Sequence, residues 1–253
     1  MYITILLSFL IIKFTLVLMT LNEIQGCKKI VPRIDKSLFS QLLVIDGGSQ
    51  DGTIEYLKSN GFEVVIQEKK YSFFKKYFFR QKLVDAYRYG LEYCKNEYVV
   101  IPFTPDNNMI PEKLSELIEK IKEGYDLVCV SRYKGNAKSF DDSMLTSFGN
   151  KLFTGLVNFF FGGNFTDVLG GYKCIKKELF SKMGINKNNM RISVQTQLAI
   201  GCVRNNIKYC DIPGDEPKRM HGESSVKPVI HGLWELIVIF EAYLKKNLYK
   251  FKK

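Results

Sequence analysis

Three polar clusters each end a run of apolar residues. Thr20-Leu21-Asn22-Glu23 follows FTLVLM, Asp46-Gly47-Gly48-Ser49 follows LLVI, and Thr104-Pro105-Asp106-Asn107-Asn108 follows VVIPF. Carboxylates and amide oxygens at such positions accept hydrogen bonds and ligate hard cations. Asp46 is suited to accept a bond from a nucleotide base N–H. Asp106 and Asn108 are suited to Mg²⁺ or Mn²⁺, with phosphate oxygens completing the shell. Gly47 and Gly48 let the backbone turn sharply and approach a ligand closely. Plainer readings stand beside these. DGGSQDGT also makes an ordinary strand-to-helix turn capped by Asp51 or Thr53, and TPDNN a turn with an Asp cap.

For the three clusters to act together, the elements before them must be neighbouring parallel strands. The hydrophobic pattern supplies this. Strands are expected at 14–19, 42–45, 62–66, 97–103 and 126–133, with helices between them at 24–34, 54–59, 79–94 and after Pro111. Leu114, Leu117, Ile118 and Ile121 share one face of the last. Alternation of this kind indicates an α/β fold with a mostly parallel sheet, and right-handed crossovers bring the strand ends to one edge. After Gly135 the pattern changes to a long helix over Ser143–Phe161, then NFTDVLGGYKCI, a short helix KKELFSKM, a helix over Ser193–Arg204 and a strand in IKYCDIPG. A polar loop, GDEPKRMHGESSVKP, leads to an aromatic-rich helix over Val229–Tyr249 with a lysine-rich end.

The 253 residues carry a net charge of +11, concentrated in Lys69, Lys70, Lys75, Lys76, Arg80 and Lys82 and in the tail KKNLYKFKK. That excess suits a phosphate-rich partner, nucleotide or anionic lipid; no RNA-binding aromatic motif or zinc-finger spacing supports nucleic acid. The six cysteines lack any CxxC and fall mostly in apolar segments, which fits free thiols in a reducing cytosol. His221 and His231 are too few for a histidine-rich metal cluster. Met1–Ile12 is an apolar appendage, membrane-facing or an overlong start, without the flanks of a signal peptide.

The ordered set TLNE, VIDGGSQDGT, the acid of TPDNN with its following PE, SRY and TDVLGGYK resembles the inverting family 2 glycosyltransferases of GT-A fold. Within them it is nearest the polyprenyl-phosphate sugar transferases of the dolichol-phosphate-mannose-synthase type. The resemblance runs from about Phe14 to about Lys227. It implies a Rossmann-like GT-A domain over 14–225, preceded by the appendage 1–13 and followed by an amphipathic, lysine-rich helix in 226–253. It also implies that Thr20, Asn22, Glu23, Asp46 and Gly48 hold the base and ribose. Asp106, with Asn108, binds a divalent cation and the donor diphosphate. The family's usual acid pair is reduced here, because Thr104 stands where the first acid would be. The family's Gly-rich stretch is replaced by the lysine- and aromatic-rich segment, which leaves contacts from Arg80 or Lys82 open. Ser131 and Arg132 match a phosphate-facing motif and Thr166 and Asp167 an acceptor-side motif; Lys218, Arg219 and Lys227 lie on a loop that closes near the phosphates. Outside the resemblance, the plainer readings are a strand-end surface arginine for Arg132 and an Asx turn or helix cap for Asp167.

The implied reaction moves a sugar from a nucleoside diphosphate, with inversion at C1, to a lipid phosphate or a saccharide hydroxyl. A phosphate monoester is already ionised near neutral pH, whereas a hydroxyl wants a general base, for which Asp167 is the candidate. In the C-terminal helix Leu233, Trp234, Ile237, Phe240 and Leu244 share a face, which fits either peripheral contact at the cytoplasmic side of a membrane or packing on the domain. A non-catalytic nucleotide-sugar binder is the reading from another class, motivated by Thr104.

Overall fold

The computed structural model describes residues 12–67, 72, 75, 78, 80–186, 189–220 and 226–251. Seven strands, β1 (Phe14–Thr20), β2 (Gln41–Asp46), β3 (Glu63–Ile66), β4 (Tyr98–Phe103), β5 (Leu127–Ser131), β6 (Lys173–Lys176) and β7 (Tyr209–Pro213), form one sheet in the order β3-β2-β1-β4-β6-β5-β7. Only β6 runs antiparallel to its neighbours. All seven residues of β1 are buried, as in a strand covered on both faces. Its alternate side chains serve two cores, Val17 and Met19 on one face and Leu16 and Leu18 on the other.

The described helices are α1 (Ile24–Ile30), α2 (Thr53–Ser59), α3 (Gln81–Tyr93), α4 (Lys113–Lys122), α5 (Met144–Phe161), α6 (Glu178–Lys182), α7 (Val194–Arg204) and α8 (Pro228–Leu244). Cys27 and Ile30 of α1, Leu57 of α2 and the four expected residues of α4 fill one core. Val84 of α3, Val157 of α5, Leu198 of α7 and Val238 and Ile239 of α8 fill the other. With β1 central and β2 and β4 beside it, the three polar clusters emerge at one edge. The cysteines are free, five of them buried.

Two features differ from the sequence expectation. NFTDVLGGYKCI contains strand β6, whose pattern is masked by a lysine at each end. Lys173 is nevertheless 2% exposed. Its ammonium donates to the Val168 carbonyl and to Gln195 Oε1, at 3.0 and 2.8 Å, and to the Gly170 carbonyl. The C-terminal helix stops at Leu244, not Tyr249. Beyond it the chain turns at Tyr249, with φ +62°, and its buried hydroxyl accepts from Gln197 at 2.9 Å. Helix α8 also shares the core with α5 and α7, so it is packed on the domain as well as apolar outside. Residues 1–11, most of the segment 71–79 and His221 lie outside the described residues.

One buried acid holds α8 inside. Glu235 accepts from the Thr196 hydroxyl, and burial pushes its carboxyl up to about 7. The folded chain therefore keeps a proton that the unfolded chain releases above about 4.5. Stability should fall as pH rises from there to about 7, by about 3 kcal/mol from this group. Glu235→Gln should remove that part of the slope. Urea unfolding of both proteins at pH 5 and pH 8 checks it: an unchanged difference between the two pH values would contradict the assignment.

Candidate functional site

The β1 and β2 ends are tied into one unit. Asp46 is fully buried, and its Oδ1 accepts from the backbone N–H groups of Gly48 and Ser49 at 2.7 and 2.6 Å. Its Oδ2 accepts from the hydroxyls of Thr20 and Ser49, both at 2.7 Å. These four bonds use the acceptor capacity of a carboxylate. Asp46, which the sequence reading sets against a base N–H, here ties the turn together through these bonds. Gly48 takes φ +89°, open to glycine at little cost. Asn22 Oδ1 accepts from Gln50 N at 2.9 Å, and Asn22 N donates to Ser49 Oγ at 2.7 Å. The Lys82 side chain lies over the turn: a Cβ on Gly47 would meet its Cε at 2.9 Å.

The acid turn after β4 sits against this unit. A Cβ on Gly26 would stand 2.1 Å from the Pro105 carbonyl oxygen, so only glycine lets α1 approach. Burial pushes the Glu23 carboxyl up to about 7, nearby Asp106 adds to the rise and Arg219 opposes it. Asp106 Oδ1 accepts from Thr104 Oγ1 at 2.9 Å and from Asn108 N at 3.2 Å. Asn108 Oδ1 is buried without a hydrogen-bond partner. A carboxylate and an orphaned amide oxygen fit a hard divalent cation that takes its remaining ligands from diphosphate and water. Among the described residues no group of three or more acidic, histidine or cysteine side chains could hold a metal by itself.

A strap over 214–220 closes across this turn. Asn107 and Asn108 donate to the carbonyls of Lys218 and Pro217 at 2.8 and 2.9 Å, and Met220 N donates to the Asp106 carbonyl at 3.1 Å. Arg219 Nε and Nη2 both donate to Asp141 Oδ2, at 3.1 and 2.8 Å. Burial pulls Arg80 down, Tyr87 offsets part of that, and nearby Arg219 lowers it further. The Arg80 and Arg219 charges thus act on one another.

The strap also reaches Arg132. Arg132 Nε and Nη2 donate to the two oxygens of Asp167 at 2.7 and 2.9 Å, and Gly170 N donates to Asp167 Oδ1 at 2.9 Å. Glu216 and Asp142 stand 3.3 and 3.5 Å from Arg132 Nη1. Asp167 is fully buried. Burial alone would raise its pKa, but the Arg132 charge and hydrogen bonds, with Lys173 nearby, bring it below the usual carboxylate range. A buried carboxylate held this way is a weak base, and both of its oxygens hold the Arg132 guanidinium. Ser131 and Thr166 likewise face inward. Thr166 Oγ1 donates to Asp211 Oδ2 and is hydrogen-bonded to Ser131 Oγ, each at 2.7 Å, and Ser131 is fully buried.

Residues 15–184 match the family model described as glycosyl transferase family 2. The chain belongs to that family. It is similar to glycosyltransferase AglJ of Haloferax volcanii, 25% identical over 214 residues, 84% of this chain and 66% of AglJ. It is also similar to the uncharacterized glycosyltransferase YkcC of Bacillus subtilis, 28% identical over 118 residues, 47% of this chain and 35% of YkcC. The chain thus spans about two thirds of the first and about a third of the second. Among solved structures it is similar in fold to glucosyl-3-phosphoglycerate synthase of Mycobacterium tuberculosis in complex with Mn²⁺, UDP and glucosyl-3-phosphoglycerate. That likeness has a TM-score of 0.61 at 17% identity and covers 96% of this chain and 82% of that one. Mannosyl-3-phosphoglycerate synthase of Rubrobacter xylanophilus gives 0.63 at 17%, covering 96% and 78%. These likenesses show the GT-A fold.

For this family 2 member the sheet edge gathers Thr20, Asn22, Glu23, Asp46, Gly48 and Asp106, while the strap brings Arg219 beside them. Lys227 is the N-cap of α8, where its backbone N–H donates to His231 Nδ1 at 3.0 Å, and Lys218 contributes a carbonyl to the turn. Sequence reasoning missed Asp141, Asp142, Asp211 and Glu216, which fix the arginines and Thr166. Their signal was present in the acid pair before the long helix and the acids of CDIPGDE, but the partners are up to 84 positions away.

Proposed function

We propose that the chain transfers a sugar, with inversion at C1, from a nucleoside-diphosphate sugar to a polyprenyl phosphate. The observation that carries this reading is the Arg132–Asp167 pair: the candidate base is bound through both oxygens to a guanidinium and is not free to take a proton. Such a centre suits an acceptor that arrives ionised, as a phosphate monoester does near neutral pH. Arg132 would orient the acceptor phosphate, and Asp167 would keep the guanidinium in place. Arg219, Arg80 and Lys82 would bind the diphosphate and stabilise the charge that develops on it as the bond to C1 breaks. The turn organised by Asp46, Thr20 and Asn22 would seat the nucleoside, presenting backbone groups rather than the Asp46 carboxylate. Asp106 and Asn108 would hold Mg²⁺ or Mn²⁺, which when bound supplies further neutralisation of the leaving group. Five buried free thiols among six fit a reducing cytosol, so the cytoplasmic face of a membrane is the proposed place of action.

A saccharide hydroxyl is the second reading, and Glu216 favours it. Burial pushes this carboxyl up, beyond the opposing pull of Arg132 and the Ser139 hydrogen bond. A raised carboxylate at this place would serve as a base. Labelled UDP- and GDP-sugars, supplied with Mn²⁺ and an isoprenyl phosphate, separate the readings. The expected product carries label into the organic phase. Label found only on a water-soluble glycan would refute the phosphate acceptor, and nucleotide binding without any transfer would refute catalysis.

A further inference from the structure

Helix α8 is amphipathic in the inverted sense. Its ionisable residues His231 and Glu235 are buried against the domain, while Val229, Leu233, Ile237, Phe240 and Leu244 are 46–78% exposed. Those outer positions step by four, four, three and four residues, one continuous stripe on a helix. Helix α5 repeats the pattern: Met144, Phe148, Leu152 and Phe159 are 42–92% exposed, with Gly155 completing the same spacing. The two helices lie side by side and run parallel. A Cβ on Gly232 would meet the Phe153 ring at 3.3 Å, and further along the Phe160 ring lies tilted against Tyr243 and Phe240, at 4.8 and 5.9 Å between centroids. Adjacent apolar stripes of this length exceed the scattered apolar exposure of an ordinary surface.

We infer that the outer faces of α5 and α8 form a docking platform for an anionic lipid bilayer. Charge selects this occupant. Helix α5 contains no acid and one cation, exposed Lys151, and exposed Lys245, Lys246 and Lys250 follow the stripe of α8. Glu241, the second acid of α8, is paired with Arg191 and Lys245. Apolar stripes ending in lysines match headgroups over acyl chains. No helix among the described residues is long and apolar enough to cross a membrane, so the platform lies in the interface plane. It also begins at the polar centre: Ser143 caps α5 directly after Asp142, 3.5 Å from Arg132. Resting on the phosphate-acceptor reading for this orientation alone, the arrangement presents the cleft to the leaflet that carries a prenyl chain.

Co-sedimentation of the full chain with phosphatidylcholine vesicles, with and without phosphatidylglycerol, tests the platform. The wild type is expected to bind the phosphatidylglycerol vesicles, less so at high salt. The combined variant Phe148→Ser, Phe159→Ser, Leu233→Ser and Leu244→Ser should bind about a hundredfold more weakly, since each lost apolar contact weakens partitioning. A second variant, Lys246→Glu with Lys250→Glu, should lose only the preference for phosphatidylglycerol. All six positions are exposed, and unchanged melting shows that the variants fold. Wild type that stays in the supernatant with both vesicles overturns the proposal. So does a soluble oligomer that the fourfold variant dissolves while vesicle binding is absent. Transfer to a short, water-soluble isoprenyl phosphate without vesicles reads the acceptor assignment separately: vesicle binding without such transfer supports the platform and removes the acceptor, and transfer without vesicle binding removes the platform alone.

Discussion

Asp167→Asn is expected to lower the stability of the protein by about 3 kcal/mol, the cost of leaving a buried guanidinium without its bidentate partner. Glu216 and Asp142 near Arg132 Nη1 keep the loss from being larger. For a chain of this size the melting midpoint should fall by about 6 °C. The effect has a pH signature. The folded pKa of Asp167 is depressed, so its contribution is present above the unfolded value of about 3.9 and is lost as pH falls through the folded value. Wild type and variant should therefore converge in acid. With an isoprenyl phosphate at saturation, and at a temperature where the variant stays folded, turnover should hold within about tenfold, because no proton is removed from the acceptor. A general base behaves in the opposite way: melting unchanged and turnover lost by about 10²–10⁴. Melting curves and saturating rates measured on the same preparations separate the two roles.

Asp106→Ala should do the reverse, sparing the fold and removing the activity. Asp106 is half-buried and its side chain accepts two local hydrogen bonds, from Thr104 and Asn108. Losing them costs about 1 kcal/mol. Transfer should fall by about 10²–10³, the usual consequence of removing one group that stabilises charge developing in the transition state. Binding offers an independent readout. Nucleoside diphosphate with Mn²⁺, at about a hundred times its Kd, should stabilise the wild type by about 2.7 kcal/mol. In the variant that stabilisation should shrink towards the value seen without Mn²⁺. A variant that keeps both its thermal shift and its turnover would show that the diphosphate is held elsewhere.

The sheet edge was legible in the sequence because it depends on local patterns. Apolar runs of strand length followed by TLNE, DGGS and TPDNN fix which residues stand at strand ends, and handed crossovers put those ends together. Helix limits marked by Asn60-Gly61, Gly124 and Gly162 also follow from local chemistry, since each glycine takes a positive φ. The division of labour inside the site was not legible. Whether Asp46 meets a base or folds its own turn depends on the Thr20 hydroxyl 26 positions away. Whether Asp167 is a base or an anchor depends on Arg132, 35 positions away. A polar residue in a motif looks the same in sequence whether its lone pairs face a ligand or the protein. Strand β6 escaped for a related reason: Lys173 reads as a surface residue, and only the carbonyls of Val168 and Gly170 and the Gln195 amide make its burial tolerable.

Two acceptors that share one prenyl chain, one ending in phosphate and the other in a hydroxyl, offer the most direct test of transfer without a base. Initial rates are measured on both with the same labelled donor and Mn²⁺. The expected result is sugar on the phosphate alone, with a rate that rises as the second phosphate proton is lost near pH 6. Equal transfer to the prenol, at a rate governed by a protein carboxylate, would contradict it.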